Sequence, residues 1–359
     1  MNRLSRWHID VPLFYAMLAL TGISLLVVYS ASAENLAVLA KHVVRLSLGF
    51  GILFVVAQVR AEDLRRLAPI IFIFAVILLI AVLGFGTVSK GARRWLGVGI
   101  VSFQPSEVMK LALPMMLAWY FARLPLPPNL RHLAIASIVI IVPVALIARQ
   151  PDLGTALLVL GSGFAMLFLA GMQWRILAAI TALAAVAIPY AWGHLHGYQQ
   201  KRILTLLDPA SDPLGAGYHT LQGMIAIGSG GFFGKGWLNS SQAHLEYLPE
   251  SSTDFIFAVF AEEFGLLGIL VLLGIYLFIV YRGFTIAWLA QDSFTRMLAG
   301  GLTLVFFFYF FVNVGMVSGI LPVVGVPLPL ISYGGTALVT LMAAFGMLMS
   351  IHTHRKITG

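Results

Sequence analysis

The stretch VPLFYAMLALTGISLLVVYS, residues 11–30, decides the fold. It carries no charged side chain and is long enough to cross a hydrocarbon core of ~30 Å as one helix. Arg3 and Arg6 precede it, as they would in a secretory signal peptide. Its length, and the further apolar runs behind it, make it a first membrane span instead. Comparable runs follow at 42–58, 67–84, 105–121, 132–148, 153–171, 174–192, 255–281, 297–321 and 331–351.

The composition agrees. Hydrophobic residues make up 60% of the 359 residues and charged residues 10%, against about 25% charged in a soluble domain. The unbroken apolar runs exclude a β-barrel, whose strands alternate over about ten residues. The expected fold class is therefore an all-α integral membrane protein of about ten transmembrane helices, forming one polytopic domain over 1–359. No cysteine is present, which removes disulfides, thiolate chemistry and cysteine-based zinc sites. The net charge of +8 is spread over short loops. That suits membrane flanks better than nucleic acid, which asks for a basic patch or stripe.

With ten spans both termini share a side. Twelve arginines and lysines fall on that side and nine on the other. Six of the nine lie in two long loops, where the positive-inside bias counts for little. Both termini are therefore expected in the cytoplasm. One large extracellular loop, 193–254, separates spans seven and eight. It holds Asp208, Asp212, Glu246, Glu250 and Asp254, and its aromatic and glycine content suggests a folded cap.

Candidate functional residues cluster near the outer face. Glu107 and Lys110 lie three apart in Gln104-Pro105-Ser106-Glu107-Val108-Met109-Lys110, so they share a helix face. They form either a neutralising ion pair or the lining of a polar cavity. Arg93 and Arg94, beside Trp95, suit an anionic phosphate or simple headgroup anchoring. Asp152 stands where a helix begins and fits an N-cap. Asp254 stands at the mouth of the eighth span, before Phe255, Ile256 and Phe257. A carboxylate beside such residues is partly desolvated, which raises its basicity and suits a general base. A helix N-cap is the alternative. The glycines of 228–236 lack the spacing of a phosphate-binding loop. His194 and His196 do not share a helix face. The prolines and glycines of 321–335 predict irregular backbone folded back into the bundle.

These motifs together resemble the SEDS family of bacterial peptidoglycan polymerases, the RodA, FtsW and SpoVE group. The resemblance rests on Gly91-Ala92-Arg93-Arg94-Trp95, Gln104–Glu107 with Lys110, Pro151–Thr155, Gly217-Tyr218-His219, Ala226–Gly231, Thr253–Phe257 and Ser332–Gly335. The stretch 321–329 resembles the RodA branch, which serves elongation and rod shape, while 245–250 leans toward FtsW. The resemblance implies a glycosyltransferase that polymerises lipid II into β-1,4 glycan strands outside the cytoplasmic (inner) membrane. It implies a class B penicillin-binding protein as transpeptidase partner, and MreC and MreD as companions in elongation. It assigns the essential aspartate to Asp254 and the cavity charges to Glu107 and Lys110. The leaving pyrophosphate needs charge neutralisation. Lys110, Arg93, Arg94, Lys201 and Arg202 are the candidates, with or without a divalent cation such as magnesium or manganese. No nucleotide or organic cofactor is expected. A lipid II flippase and a scaffold for the transpeptidase are the rival readings.

Overall fold

The computed structural model describes residues 7–89, 92–98, 101–176, 178–179, 182, 186, 192–193, 197–208, 216–245, 247–248 and 250–354. Three long helices come first: α1 (Val11–Ala31), α2 (Leu36–Ala57) and α3 (Ala61–Phe85). A small antiparallel meander follows, β1 (Thr87–Ser89), β2 (Ala92–Val98) and β3 (Val101–Phe103), with β2 in the middle. This meander is absent from the all-α expectation, because strands this short carry little sequence signal. Next come α4 (Pro105–Phe121), α5 (Leu130–Ala148) and α6 (Leu153–Leu169). Shorter helices α7 (Gly197–Leu207), α8 (Ala216–Ser229) and α9 (Ser241–His244) occupy the expected loop. The chain closes with α10 (Ile256–Trp288), α11 (Ser293–Val317) and α12 (Thr336–Thr353).

Among the described residues seven helices are long and apolar enough to cross a membrane. These are α1, α2, α3, α5, α10, α11 and α12. Two further expected spans, 105–121 and 153–171, correspond to α4 and α6, of 17 residues each. The expected span at 174–192 lies largely outside the described residues. Side chains set several helix starts. Asp10, Asn35, Asn129, Asp152 and Asp292 each accept a backbone N–H of the first turn. Asn35 opens α2 six residues before the expected boundary.

The helices divide into a centre and a lipid-facing ring. In α11 and α12, 67% of the span is buried, against 22% in α2, α3 and α10. Most of α4 is buried as well. The outer helices pack on this centre, α2 against α12, α3 against α4 and α10 against α11, and α1 packs on α10. Small residues set the closest approach, as they do where no hydrophobic force drives helices together. A Cβ at Gly346 of α12 would lie 2.7 Å from the Leu53 carbonyl oxygen of α2.

Helix α10 is broken at Gly265, whose φ of +62° and ψ of −163° are not helical. The break frees backbone groups that must find partners inside the protein. Residues 231–236 supply them. Lys235 N donates to Glu262 O and Gly236 N to Glu263 O, both at 3.0 Å. Leu266 N donates to Gly231 O at 2.9 Å and Leu267 N to Phe232 O at 3.1 Å. The Glu262 carboxylate, fully buried, locks the same loop. It accepts from Lys235 Nζ and Ser240 Oγ at 2.6 Å and from Ser241 Oγ at 2.7 Å. The glycine-rich run 228–236 thus splices a helix. A Cβ at Gly265 would stand 2.3 Å from Gly234 N. Gly265→Ala should therefore cost about 2 kcal/mol or more, read as a lower thermal midpoint in detergent. An unchanged midpoint would refute the splice.

At the end of the bundle where α1 begins and α12 ends, Asp10 binds Arg282 through two hydrogen bonds, at 3.1 and 2.6 Å. His352 approaches the same carboxylate at 3.2 Å. His8 stacks on His354 with ring centroids 3.8 Å apart. Burial, and then the neighbouring His354, lower the His8 pKa from its ordinary 6.5. The native state then binds fewer protons than the unfolded state. The contribution of His8 is full above pH 6.5 and is lost as pH falls through the depressed native value. Protection factors for hydrogen exchange in 8–13 and 350–354, taken against the intrinsic rate at each pH, should fall between pH 7 and pH 5, roughly the imidazole range, and fall less in His8→Ala.

Candidate functional site

The site is built on residues 318–335, which join α11 to α12 without regular structure. Pro322, Pro327 and Pro329 cannot donate a backbone hydrogen bond, and Gly325 has φ +72°. Yet Val326, Leu328, Leu330 and Ile331 are buried to 2% exposure or less. Side chains from three helices supply the missing partners. Asn313 Nδ2 of α11 donates to Val326 O at 2.7 Å and to Asp254 O at 2.9 Å. Tyr276 OH of α10 donates to Pro329 O at 2.6 Å, and Ser24 Oγ of α1 to Ile331 O at 2.7 Å. Within the loop, Ser332 Oγ accepts from Leu328 N at 2.7 Å and donates to Thr253 O at 2.5 Å. Tyr333 N donates to Ser252 O at 2.9 Å. The loop and the segment 252–254 are therefore one hydrogen-bonded unit.

Asp254 is half-buried in the turn before α10. The N-cap of that helix is Phe255, with no side-chain cap bond, so the capping alternative for Asp254 does not apply. A Cβ at Gly325 would lie 3.3 Å from Asp254 Oδ2, so the loop backbone runs beside the carboxylate. Phe255 is buried behind it and meets the His219 ring of α8 at 5.9 Å.

The neighbouring loop residue brings in a second acidic group. A Cβ at Gly154, in the first turn of α6, would lie 2.5 Å from Val324 O. Val324 and Gly325 thus stand between the start of α6 and Asp254. Asp152 caps α6 through Thr155 N at 3.3 Å, as expected, and also accepts from Gln104 Nε2 at 3.0 Å. Arg94 reaches the same corner. Its Nη1 is 3.6 Å from Asp152 Oδ1, and its Nη2 donates to Pro151 O. Successive residues of a strand point to opposite faces, and Arg93 turns the other way. It is exposed and donates to Leu83 O at 3.3 Å, near the end of α3.

Glu107 and Lys110 lie deeper, where α4, α11 and α12 meet, and each is less than 5% exposed. Lys110 Nζ donates to Glu107 Oε1 at 2.7 Å and to the Tyr309 hydroxyl. Tyr309 OH donates to Glu107 Oε2 at 2.6 Å. The three side chains close a ring. In this conformation the pair reads as a neutralised internal ion pair, the first of the two expected readings. Tyr309 is a partner that the spacing of Glu107 and Lys110 does not announce.

Lys201 and Arg202 fall on α7, but their side chains lie outside the described residues. The structure adds a cation absent from the expected set. Arg45 of α2 stands over the Tyr333 ring, 4.2 Å from its centroid. Tyr333 belongs to the loop that binds Ser252, so Arg45 flanks the Asp254 segment. In sequence it is one arginine in an apolar helix, 209 positions away from Asp254.

A family model described as cell cycle protein, covering FtsW, RodA and SpoVE, matches residues 11–357. The peptidoglycan glycosyltransferase MrdB of Escherichia coli strain K12 is 52% identical over 360 residues, 99% of this chain and 97% of that protein. The peptidoglycan glycosyltransferase RodA of Treponema pallidum is 33% identical over 96% of this chain and 98% of its own length. Among solved structures, a chain of a peptidoglycan synthase complex that coordinates polymerization and crosslinking superposes with a TM-score of 0.84. It is 31% identical and covers 96% of this chain and 97% of that one. The rod shape determining protein RodA of Thermus thermophilus gives 0.74 at 29% identity, over 97% and 98% of the two chains.

The Glu107–Lys110 ring makes a stability prediction. Lys110→Met leaves a buried carboxylate without its cation and should cost about 3–5 kcal/mol. Glu107→Gln combined with Lys110→Met should recover much of that loss. Thermal midpoints of the single and double variants in detergent check both, and a double variant as unstable as the single would contradict the pairing.

Proposed function

Since the chain belongs to the FtsW, RodA and SpoVE family of cell cycle proteins, we infer that it is a peptidoglycan glycosyltransferase of the RodA type. It is a multi-pass membrane protein. Its reaction is the polymerisation of lipid II into β-1,4 glycan strands at the outer face of the bacterial inner membrane, in the service of cell elongation. The observation that carries the site assignment is the placement of Asp254. Its backbone is tied to a loop held by three helices, and its carboxylate borders Gly325.

Asp254 acts as general base. It takes the proton of the acceptor GlcNAc 4-hydroxyl while that oxygen attacks C1 of the donor MurNAc. The O4–C1 bond forms, the bond from C1 to the pyrophosphate oxygen breaks, and C1 inverts. Undecaprenyl pyrophosphate leaves as an anion and needs no strong acid, unlike the leaving group of a simple glycoside. It needs positive charge, preorganised in a site that excludes water. Arg94, beside Asp152, and Arg45, over Tyr333, are described cations that flank the loop, and Arg93 is assigned with them. Lys201 and Arg202 are assigned to the same task. Lys110 and Glu107 belong to the site through the helices they hold together. Asp152 orients Arg94, a positioning role.

A magnesium or manganese ion would add to this neutralisation. Among the described residues no three histidine, aspartate or glutamate side chains gather as a metal site, and no step is routed through an ion. Helix α8, within the stretch assigned to the outer cap, packs on α10. A class B penicillin-binding protein is the assigned transpeptidase partner, with MreC and MreD in the same assembly.

The test is glycan-strand formation from labelled lipid II by the purified protein with its transpeptidase partner. Asp254→Asn should reduce polymer by at least roughly 10²–10⁴-fold while the thermal midpoint holds. Normal turnover by that variant would move the base elsewhere. No polymer from the folded wild-type complex would sink the reaction itself.

A further inference from the structure

A cleft rich in arginine lies at the end opposite Asp254. The two ends are fixed by contacts. Ser251 donates to Ala31 O at 3.1 Å, which puts the close of α1 beside the Asp254 segment. Helix α2 then runs to the other end, where Ser350 binds Val59 O and α3 begins. A cavity of about 550 Å3 opens there between the first turns of α3 and α11 and the end of α12. Arg60, Glu62, Arg65, Asp292 and His354 line it. A second hollow of about 400 Å3 adjoins it and is lined by Glu62, Arg65, Arg66, Trp119 and Arg123. Arg65 lies in both walls.

The charges of this cleft are unevenly spent. Arg60 is paired with Asp63 at 3.1 Å. Asp292 caps α11 through Phe294 N and Thr295 N. Glu62 is engaged too. Arg123 stands over Trp119, its guanidinium carbon 3.6 Å from the ring centroid, and that guanidinium makes no hydrogen bond within the described residues. Arg65 and Arg66 make no hydrogen bond or ion pair within the described residues. Three guanidinium forks therefore face one hollow with donors to spare, a set that matches the oxygens of a phosphate.

The surface below the hollow decides what carries that phosphate. From Arg66, α3 continues as Leu67, Ile70, Phe74 and Ile77, all exposed. Their spacing of three or four residues places them along one face of the helix. A soluble phosphate has no use for that stripe. An acyl chain does, because a headgroup on the arginines would leave its tails lying along it. Trp119 stands at the same level, where tryptophan marks the membrane interface. The geometry points to a binding site for the phosphate diester of an anionic phospholipid, held by Arg65, Arg66 and Arg123 at the end of the bundle away from the glycosyl-transfer site. This site does not depend on the reaction assigned to Asp254.

Native mass spectrometry of the full chain released from detergent tests it, with dioleoyl phosphatidylglycerol and dioleoyl phosphatidylcholine as probes. The wild type should retain phosphatidylglycerol in preference. Arg65→Gln, Arg66→Gln and Arg123→Gln together should lower its retention roughly fivefold for each arginine removed, with phosphatidylcholine unchanged. An undiminished preference in the folded triple variant overturns the site. Displacement by millimolar glycerol 3-phosphate overturns the lipid assignment in favour of a soluble phosphate. A second measurement uses the wild type alone. Phosphatidylglycerol with a photoreactive headgroup should label residues 60–66 and 119–123, and labelling confined to other segments overturns the proposal whatever the variant does.

Discussion

Backbone polar groups that lie away from water must be paired inside the protein, and residues 318–335 are where this constraint presses hardest. Three prolines and a left-handed glycine rule out a helix there, yet Val326 and residues 328–332 are buried. Asn313, Tyr276, Ser24 and Ser332 each give a donor to a carbonyl that has no helical partner. Because the same donors also reach Thr253 O and Asp254 O, the loop cannot be satisfied without fixing the residues around Asp254. The rigidity of the site follows from the cost of an unpaired peptide group in an apolar medium.

The break in α10 is a second answer to the same constraint. A continuous helix through Gly265 would leave the run 231–236 without partners, and a broken one would leave its own carbonyls bare. Placed together, the two segments satisfy each other, and Glu262 holds the splice with three side-chain donors. Residues 231–236 are thereby anchored to α10, the helix that follows Asp254. A general base, the role proposed for Asp254, works only when held within hydrogen-bond reach of its proton.

Charge is partitioned by depth. Glu107, Lys110 and Tyr309 neutralise one another in the middle, Asp10 and Arg282 do so at the terminal end, and Asp152 with Arg94 serve the loop side. The arginines left over lie at the two ends of the bundle. Those near Asp254 suit a pyrophosphate that departs. Those around Arg65 suit a phosphate that stays.

The sequence by itself determined the class of protein, most of the helices and the order of the motifs. Unbroken apolar runs leave a chain no solvent but the bilayer, and Asp152 marks a helix start by local chemistry alone. It also singled out Asp254, because a lone carboxylate before Phe255, Ile256 and Phe257 is conspicuous on any transfer scale. What only the tertiary structure decided is which distant groups meet. Tyr309 completes the Glu107–Lys110 ring from 199 positions away, and Arg45 reaches the site through Tyr333. The glycines of 228–236 carry no local sign that they splice a helix. Those pairings arise from helix packing across the bundle, and helix periodicity fixes the faces of each helix without fixing which faces touch.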